Sequence, residues 1–208
     1  MRPVTSRGET GSAGSVIADR APVPFRCAVA ALSRCVARAF LLLARRRLHQ
    51  PTDRLGTVLA FGDGSRGRVY RETVVDHLGV DDPAVLVVAF CLRAVRGPRG
   101  HALFRAESLL NTPLFVGFPG FVSKLWVAPE GGGTYRGVYQ WDGAARADAY
   151  VRALWWVLAL VCVRGSIHYA VVPGLRRNDV LADPHLLDLV PTAPGRWWRL
   201  IAVAPGAA

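Results

Sequence analysis

Residues 84–93 read Ala-Val-Leu-Val-Val-Ala-Phe-Cys-Leu-Arg, and all but the last are apolar. A strand places alternate side chains on opposite faces. Val85, Val87, Ala89 and Cys91 would therefore share one face, and Leu86, Val88, Phe90 and Leu92 the other. Such a segment belongs inside a sheet that is covered on both sides. Helices can cover one side. The other needs either a second copy of the chain or this chain's own flanking segments, and a homodimer through the sheet face is the more economical answer.

The surrounding pattern is regular. Residues 100–112 have helical spacing, with Leu103, Phe104, Leu109 and Leu110 available to pack, and Pro113 disfavours continuation. Residues 121–128 and 134–141 read as a hairpin across Pro129, Glu130 and the triple glycine 131–133. Asp142 is placed to cap a helix over about 144–163, which Gly165 would end. A last strand over 166–172 stops at Pro173-Gly174. The order across 84–174 is β-α-β-β-α-β, the ferredoxin-like arrangement. The expected fold is α+β, a four-stranded antiparallel sheet with both helices on one face.

The flanks read differently. Residues 1–24, rich in Gly, Ser and Pro, are expected to be a disordered arm. Residues 25–83 form an extension, with a basic helix over 25–48 and a β-hairpin over 55–75 turning at Asp63-Gly64. Residues 175–208 carry Trp197, Trp198, Leu200 and Ile201 and should wrap back onto the domain. Arg176 and Arg177, just past the last strand, are expected to face solvent.

The net charge is +11, and of 26 basic residues only Lys124 is a lysine. Residues 1–55 hold ten arginines against Glu9, Asp19 and Asp53, so the basicity is concentrated there. On a helix Arg34, Arg38 and Arg45 share a stripe, and Arg45, Arg46 and Arg47 suit a helix C-terminus. This helix either packs on its own domain or makes peripheral membrane contact through residues 25–48. No recognition motif accompanies the charge, which argues against nucleic acid. Residues 153–163 are continuously apolar but shorter than the ~20 residues of a span. Arg34 and Arg38 interrupt 27–44, so no transmembrane helix is expected. Cys27, Cys35, Cys91 and Cys162 show neither C-x-x-C nor zinc-site spacing. A reducing cytoplasm is the expected setting.

In the later strands one set of alternating positions holds Ser123, Leu125, Val127, Tyr135, Tyr139, Trp141, Ile167 and Tyr169. The other holds Lys124, Trp126, Arg136, Gln140 and His168. Parity groups residues within a strand without saying which sets of different strands face one another. Trp126, Tyr135, Tyr139, Trp141 and Tyr169 are the candidates to line a pocket for a flat apolar ligand, against plain core packing. His168 and His101 are the candidate bases. Asp183, His185 and Asp188 lie in a proline-bearing loop without a fourth partner and are not read as a metal site. A G-x-S-x-G elbow and a Walker A loop are both missing from the sequence.

Phe118-Pro119-Gly120, Gly137-Val138-Tyr139-Gln140-Trp141 and Ala147-Asp148-Ala149-Tyr150 together resemble the dimeric α/β-barrel superfamily. The likeness is greatest to its YdhR-like and antibiotic-biosynthesis monooxygenases, and it covers residues 84–174. It implies two subunits packed sheet to sheet, each with a ligand pocket. It also implies, as one activity within the group, oxidation of aromatic or polyketide-like substrates without metal or organic cofactor. In that chemistry the substrate is deprotonated and its anion reacts with oxygen in a dry pocket. The alternative is a non-catalytic ligand-binding or interaction protein on the same scaffold.

Overall fold

The computed structural model describes residues 15–77, 79–93, 100, 111–131, 133–190 and 195–206. His101 and all but the ends of the helix expected over 100–112 lie outside the described residues. Nine strands form one antiparallel sheet: β1 (Ile17–Ala18), β2 (Leu48–His49), β3 (Val58–Phe61), β4 (Arg66–Val75), β5 (Pro83–Cys91), β6 (Phe121–Pro129), β7 (Thr134–Asp142), β8 (His168–Pro173) and β9 (Leu200–Ala204). Their order is β1-β8-β5-β7-β6-β4-β3-β9, with β2 paired to β4. The described helices are α1 (Phe25–Ala44), α2 (Ala144–Val161) and α3 (Arg177–Ala182), with short 3-10 turns at Thr112–Leu114 and Pro184–Leu189.

The four-stranded ferredoxin-like domain is not the architecture. The sheet has nine strands and curls into a half-barrel. β8, β5, β7 and β6 are adjacent, but they are the middle of this sheet. An edge strand offers a row of unpaired N–H and C=O groups. On β6 that row is taken by β4, from Gly67↔Pro129 to Val74↔Ser123. A bulge between Val69 and Arg71 bends β4, which increases local twist. The hairpin read as an extension thus continues the sheet. Ile17–Ala18, read as part of the arm, pairs with β8, and the tail's β9 pairs with β3. Alternation reveals a strand's faces but not what its edges meet, so the number of strands could not be read from it.

Both faces of β5 are buried, as its composition requires. The first face joins Ala84, Leu86 and Val88 to Trp126, Tyr139, Trp141, Tyr150 and the inner sides of α1 and α2. The second joins Val85 and Val87 to Leu125, Val138, Val172, Val180, Leu187, Trp198 and Leu200. The second face, from which a homodimer was inferred, is therefore covered by the chain's own hairpin and tail.

Two arginines pin that tail. Arg177 is 5% exposed, contrary to the expectation that it faces solvent. Its Nη2 donates to Glu72 at 2.5 Å, and its backbone N–H donates to Gln140 Oε1 at 2.5 Å. Arg136 reaches from β7 to Asp63 at 2.6 Å and to the Trp197 carbonyl at 3.3 Å. Burying a charge is tolerable only when it is paired, so these positions fix where the tail lies. Trp198, 2% exposed, is its main apolar anchor. Trp198→Ala is expected to cost about 3–5 kcal/mol in urea denaturation.

α1 docks through a narrow stripe of Ala28, Cys35 and Ala39. The Cys35 thiol donates to the Pro113 carbonyl at 3.2 Å, and its burial pushes its pKa up to about 11. Gly117 lies so close that a Cβ there would stand 1.9 Å from the Cys35 carbonyl oxygen. Gly117→Ala should therefore unseat α1, seen as faster alkylation of Cys35, while Phe118→Leu on the same loop should not. α1 is also the one described helix long and apolar enough, by length and composition, to cross a membrane.

Asp142 does not cap α2. Gly143 holds the N-cap position. Asp142 instead accepts the backbone N–H groups of Asp81 and Asp82, each at 3.0 Å, and pairs with Arg146 at 2.8 Å. The amide bonds, that of Asp82 foremost, hold its carboxyl below the usual carboxylate range.

Candidate functional site: a buried lysine among aromatic rings

β6 is buried continuously from Phe121 to Ala128, and within that stretch sits the chain's only lysine. A register shift between Phe121 and Ser123 places Lys124 directly opposite Tyr139 on β7 and Trp126 opposite Gly137. On the other side β4 sets Thr73 opposite Lys124 and Arg71 opposite Trp126. Lys124, Trp126, Tyr139, Arg71 and Thr73 therefore share the first face. Parity alone had left this cross-strand grouping open.

The amine is ringed by π-faces. Lys124 Nζ stands 3.1 Å from the Trp126 ring centroid, 4.5 Å from Phe115 and 4.9 Å from Tyr139. The Arg71 guanidinium lies 4.3 Å from the Trp126 ring as well. Trp126 is held in place by its Nε1–H, which donates to Thr73 Oγ1 at 3.1 Å. Tyr139 leans back over Gly137, where a Cβ would come within 2.5 Å of its ring. Its hydroxyl is 3.3 Å from that of Tyr150 on α2. Phe115 closes the group, edge-on to Trp126 and Tyr139.

Lys124 is 6% exposed. Burial strips water from its ammonium, and the Arg71 charge opposes a second cation nearby. Together they drive its pKa well below the ordinary lysine value. Burial acts the other way on Tyr139 and Tyr150, whose phenols are pushed up and stay neutral. The site thus combines an amine whose charged form is disfavoured by burial, a guanidinium and two neutral hydroxyls in desolvated surroundings.

The remaining aromatic candidates lie on this face, each packed against other partners. Trp141 is fully buried against Phe121, at 5.7 Å between centroids, and Tyr150, at 4.9 Å. Tyr135 stacks on Phe90 at 6.0 Å. Tyr169 donates to Asp148 Oδ1 at 2.7 Å, and Asp148 also meets Arg20 and Arg152. Tyr169→Phe should cost about 1–2 kcal/mol through that carboxylate's lost donor, measured by thermal denaturation.

His168 is placed elsewhere. It is half exposed on the opposite side of β8, with Nδ1 3.1 Å from Asp19 Oδ2 and Trp197 beside its ring. Asp183 accepts the backbone N–H of His185, whose ring pairs with Asp188 on an exposed turn. Among the described residues no three His, Cys, Asp or Glu side chains converge as a metal site. On the second face an open cleft of about 500 Å³ runs past Glu72, Ser123, Gln140, Arg54 and Arg177.

Lys124 was grouped with a polar strand face and given no role. The signal was present, since one lysine in an eight-residue stretch that is apolar apart from Ser123, in a chain that uses arginine everywhere else, is a charge with nowhere to go. No model of a known protein family matches the chain, and no curated protein matches it in sequence.

Proposed function

We propose that this protein is a small-molecule enzyme whose reactive group is the uncharged amine of Lys124. The observation that carries the reading is the burial of that single lysine among Trp126, Phe115 and Tyr139 beside Arg71. An ammonium cannot accept a proton, whereas a neutral amine in a desolvated site is a base at neutral pH. Its partner would be a weakly acidic, flat molecule, an aromatic phenol or a polyketide-like 1,3-dicarbonyl. Lys124 takes the acidic proton, the rings hold the substrate plane, and the Arg71 charge favours the resulting anion. Such an electron-rich anion can react with dioxygen without metal or organic cofactor, which makes a cofactor-independent monooxygenase the sharper form of the proposal.

Two measurements test it. With a single lysine, labelling its Nζ with 15N gives one side-chain signal, and its pH titration should report a neutral amine near neutrality. An oxygen electrode then follows a panel of phenols and 1,3-dicarbonyls, with uptake expected from the native chain and lost in Lys124→Met. An amine that titrates at the ordinary lysine value would overturn the reading.

A further inference from the structure

We infer that α1 is a docking helix that lies along an anionic lipid surface. Its fully buried residues are Ala28, Cys35 and Ala39, with Ala31, Leu32 and Leu42 half-buried against the core, which leaves the outer side of a twenty-residue apolar helix uncovered. Phe25, Val29, Phe40 and Leu43 are 59%, 47%, 61% and 58% exposed. At 100° per residue these four fall within an arc of roughly 60°, one strip about 27 Å long. A shallow groove lined by Val29, Leu32, Ser33 and Val36 runs along it. At the N-terminal end the strip is prolonged across α2. The Phe25 ring meets Trp156 edge-on at 5.5 Å, and Leu160, one helical turn further on the same face, is 76% exposed.

Charge selects the occupant. Arg26, Arg34 and Arg38 lie on α1, Arg45, Arg46 and Arg47 follow it, and residues 25–47 contain no acid. On α1 Arg34 and Arg38 lie about 120–180° round from the strip, the separation of basic and apolar faces found in helices that lie in an anionic interface, with the strip in the headgroup–acyl boundary and the arginines reaching the headgroups. The anchored stripe also sets the depth. Because Gly117 and Pro113 hold the Cys35 side of the helix against the protein, only the outer side can meet lipid. The helix therefore lies on the membrane instead of crossing it.

The test is co-sedimentation of the full chain with phosphatidylcholine vesicles containing about 30% phosphatidylserine, with pure phosphatidylcholine alongside. Binding to the anionic vesicles only, released by high salt or by alkaline carbonate, is expected. Phe40→Glu should weaken it at least tenfold, and Arg34→Glu with Arg38→Glu should weaken it similarly, with melting curves unchanged. Unchanged binding in these variants, or none by the native chain, would overturn the inference. So would resistance to carbonate, which indicates a spanning helix, or a concentration-dependent dimer in sedimentation velocity that Phe40→Glu abolishes, which makes a second copy the occupant.

Discussion

Lys124→Met is expected to yield a protein that is more stable than the native chain at neutral pH and yet chemically inert. In the unfolded chain Lys124 is an ordinary, protonated lysine. In the fold, burial and the neighbouring Arg71 disfavour that proton, so the folded chain holds it less tightly than the unfolded one. Methionine has similar length and no such cost, and buried charged groups replaced by apolar ones often gain on the order of 1–3 kcal/mol. In a chain of this size that raises Tm by about 2–4 °C per kcal/mol. The sign with pH follows from linkage. The folded pKa lies below the unfolded one, so between them the unfolded state binds more protons and native stability rises with pH. That rise runs up to the ordinary lysine range, and the variant should lack it. Urea denaturation from ~pH 6 to ~pH 10 compares the two slopes, and parallel profiles would mean that the amine keeps its charge in the fold. Loss of a general base lowers turnover by about 10²–10⁴. A gain in stability joined to a loss of activity is what separates a working group from a structural one.

Breaking the Arg177–Glu72 pair should have the opposite effect on stability, and a larger one. Both side chains are 6% exposed. Arg177→Met leaves the Glu72 carboxylate buried without its cation, an arrangement that costs about 3–5 kcal/mol. Glu72→Leu strands the guanidinium in the same way. The double variant should return to within about 1 kcal/mol of the native chain or exceed it, because hydrophobic replacement of a whole buried pair is neutral or favourable. Arg177 Nε and Nη1 are buried without a hydrogen-bond partner among the described residues, which favours an outcome above native. A double-mutant cycle in urea measures this. Additive losses would mean that the two groups do not act as a pair. The single variants should also free α3 and the turn after it for limited proteolysis.

What could be read in advance differs by residue and by physical cause. β5 announced itself, since only a strand covered on both sides can be apolar at every position. β6, β7 and α2 were readable from alternation, the glycine turn and helical spacing. What covered the sheet's second face was not readable, because the cover comes from short pieces around Val180, Leu187 and Trp198, too irregular to show a period. Arg177 was misread for a related reason. A pair of arginines after a strand suggests solvent, and its partner Glu72 lies 105 positions earlier, beyond any local pattern. The aromatic candidates were chosen by residue type and do lie on one face, but type does not separate a lining from a filling. His168 is the candidate base in sequence because it is a histidine in a strand beside Tyr169. The bulge at Val122 instead turned Lys124 toward the aromatic candidates, and a bulge leaves little trace in composition.

The pairing of β3 with β9 joins Phe61 to Leu200, about 140 residues further along the chain, and this bears on biosynthesis. A ribosome delivers β3 to β8 well before β9, α3 and Trp198 emerge. During that interval the side of the sheet carrying Val85, Val87, Leu125 and Val138 has no lid. Contacts of such long separation also form slowly, which prolongs the exposure. Nascent chains stalled before residue 177 should therefore be prime clients for holding chaperones, and messages cut short there should yield insoluble product in place of a smaller working protein.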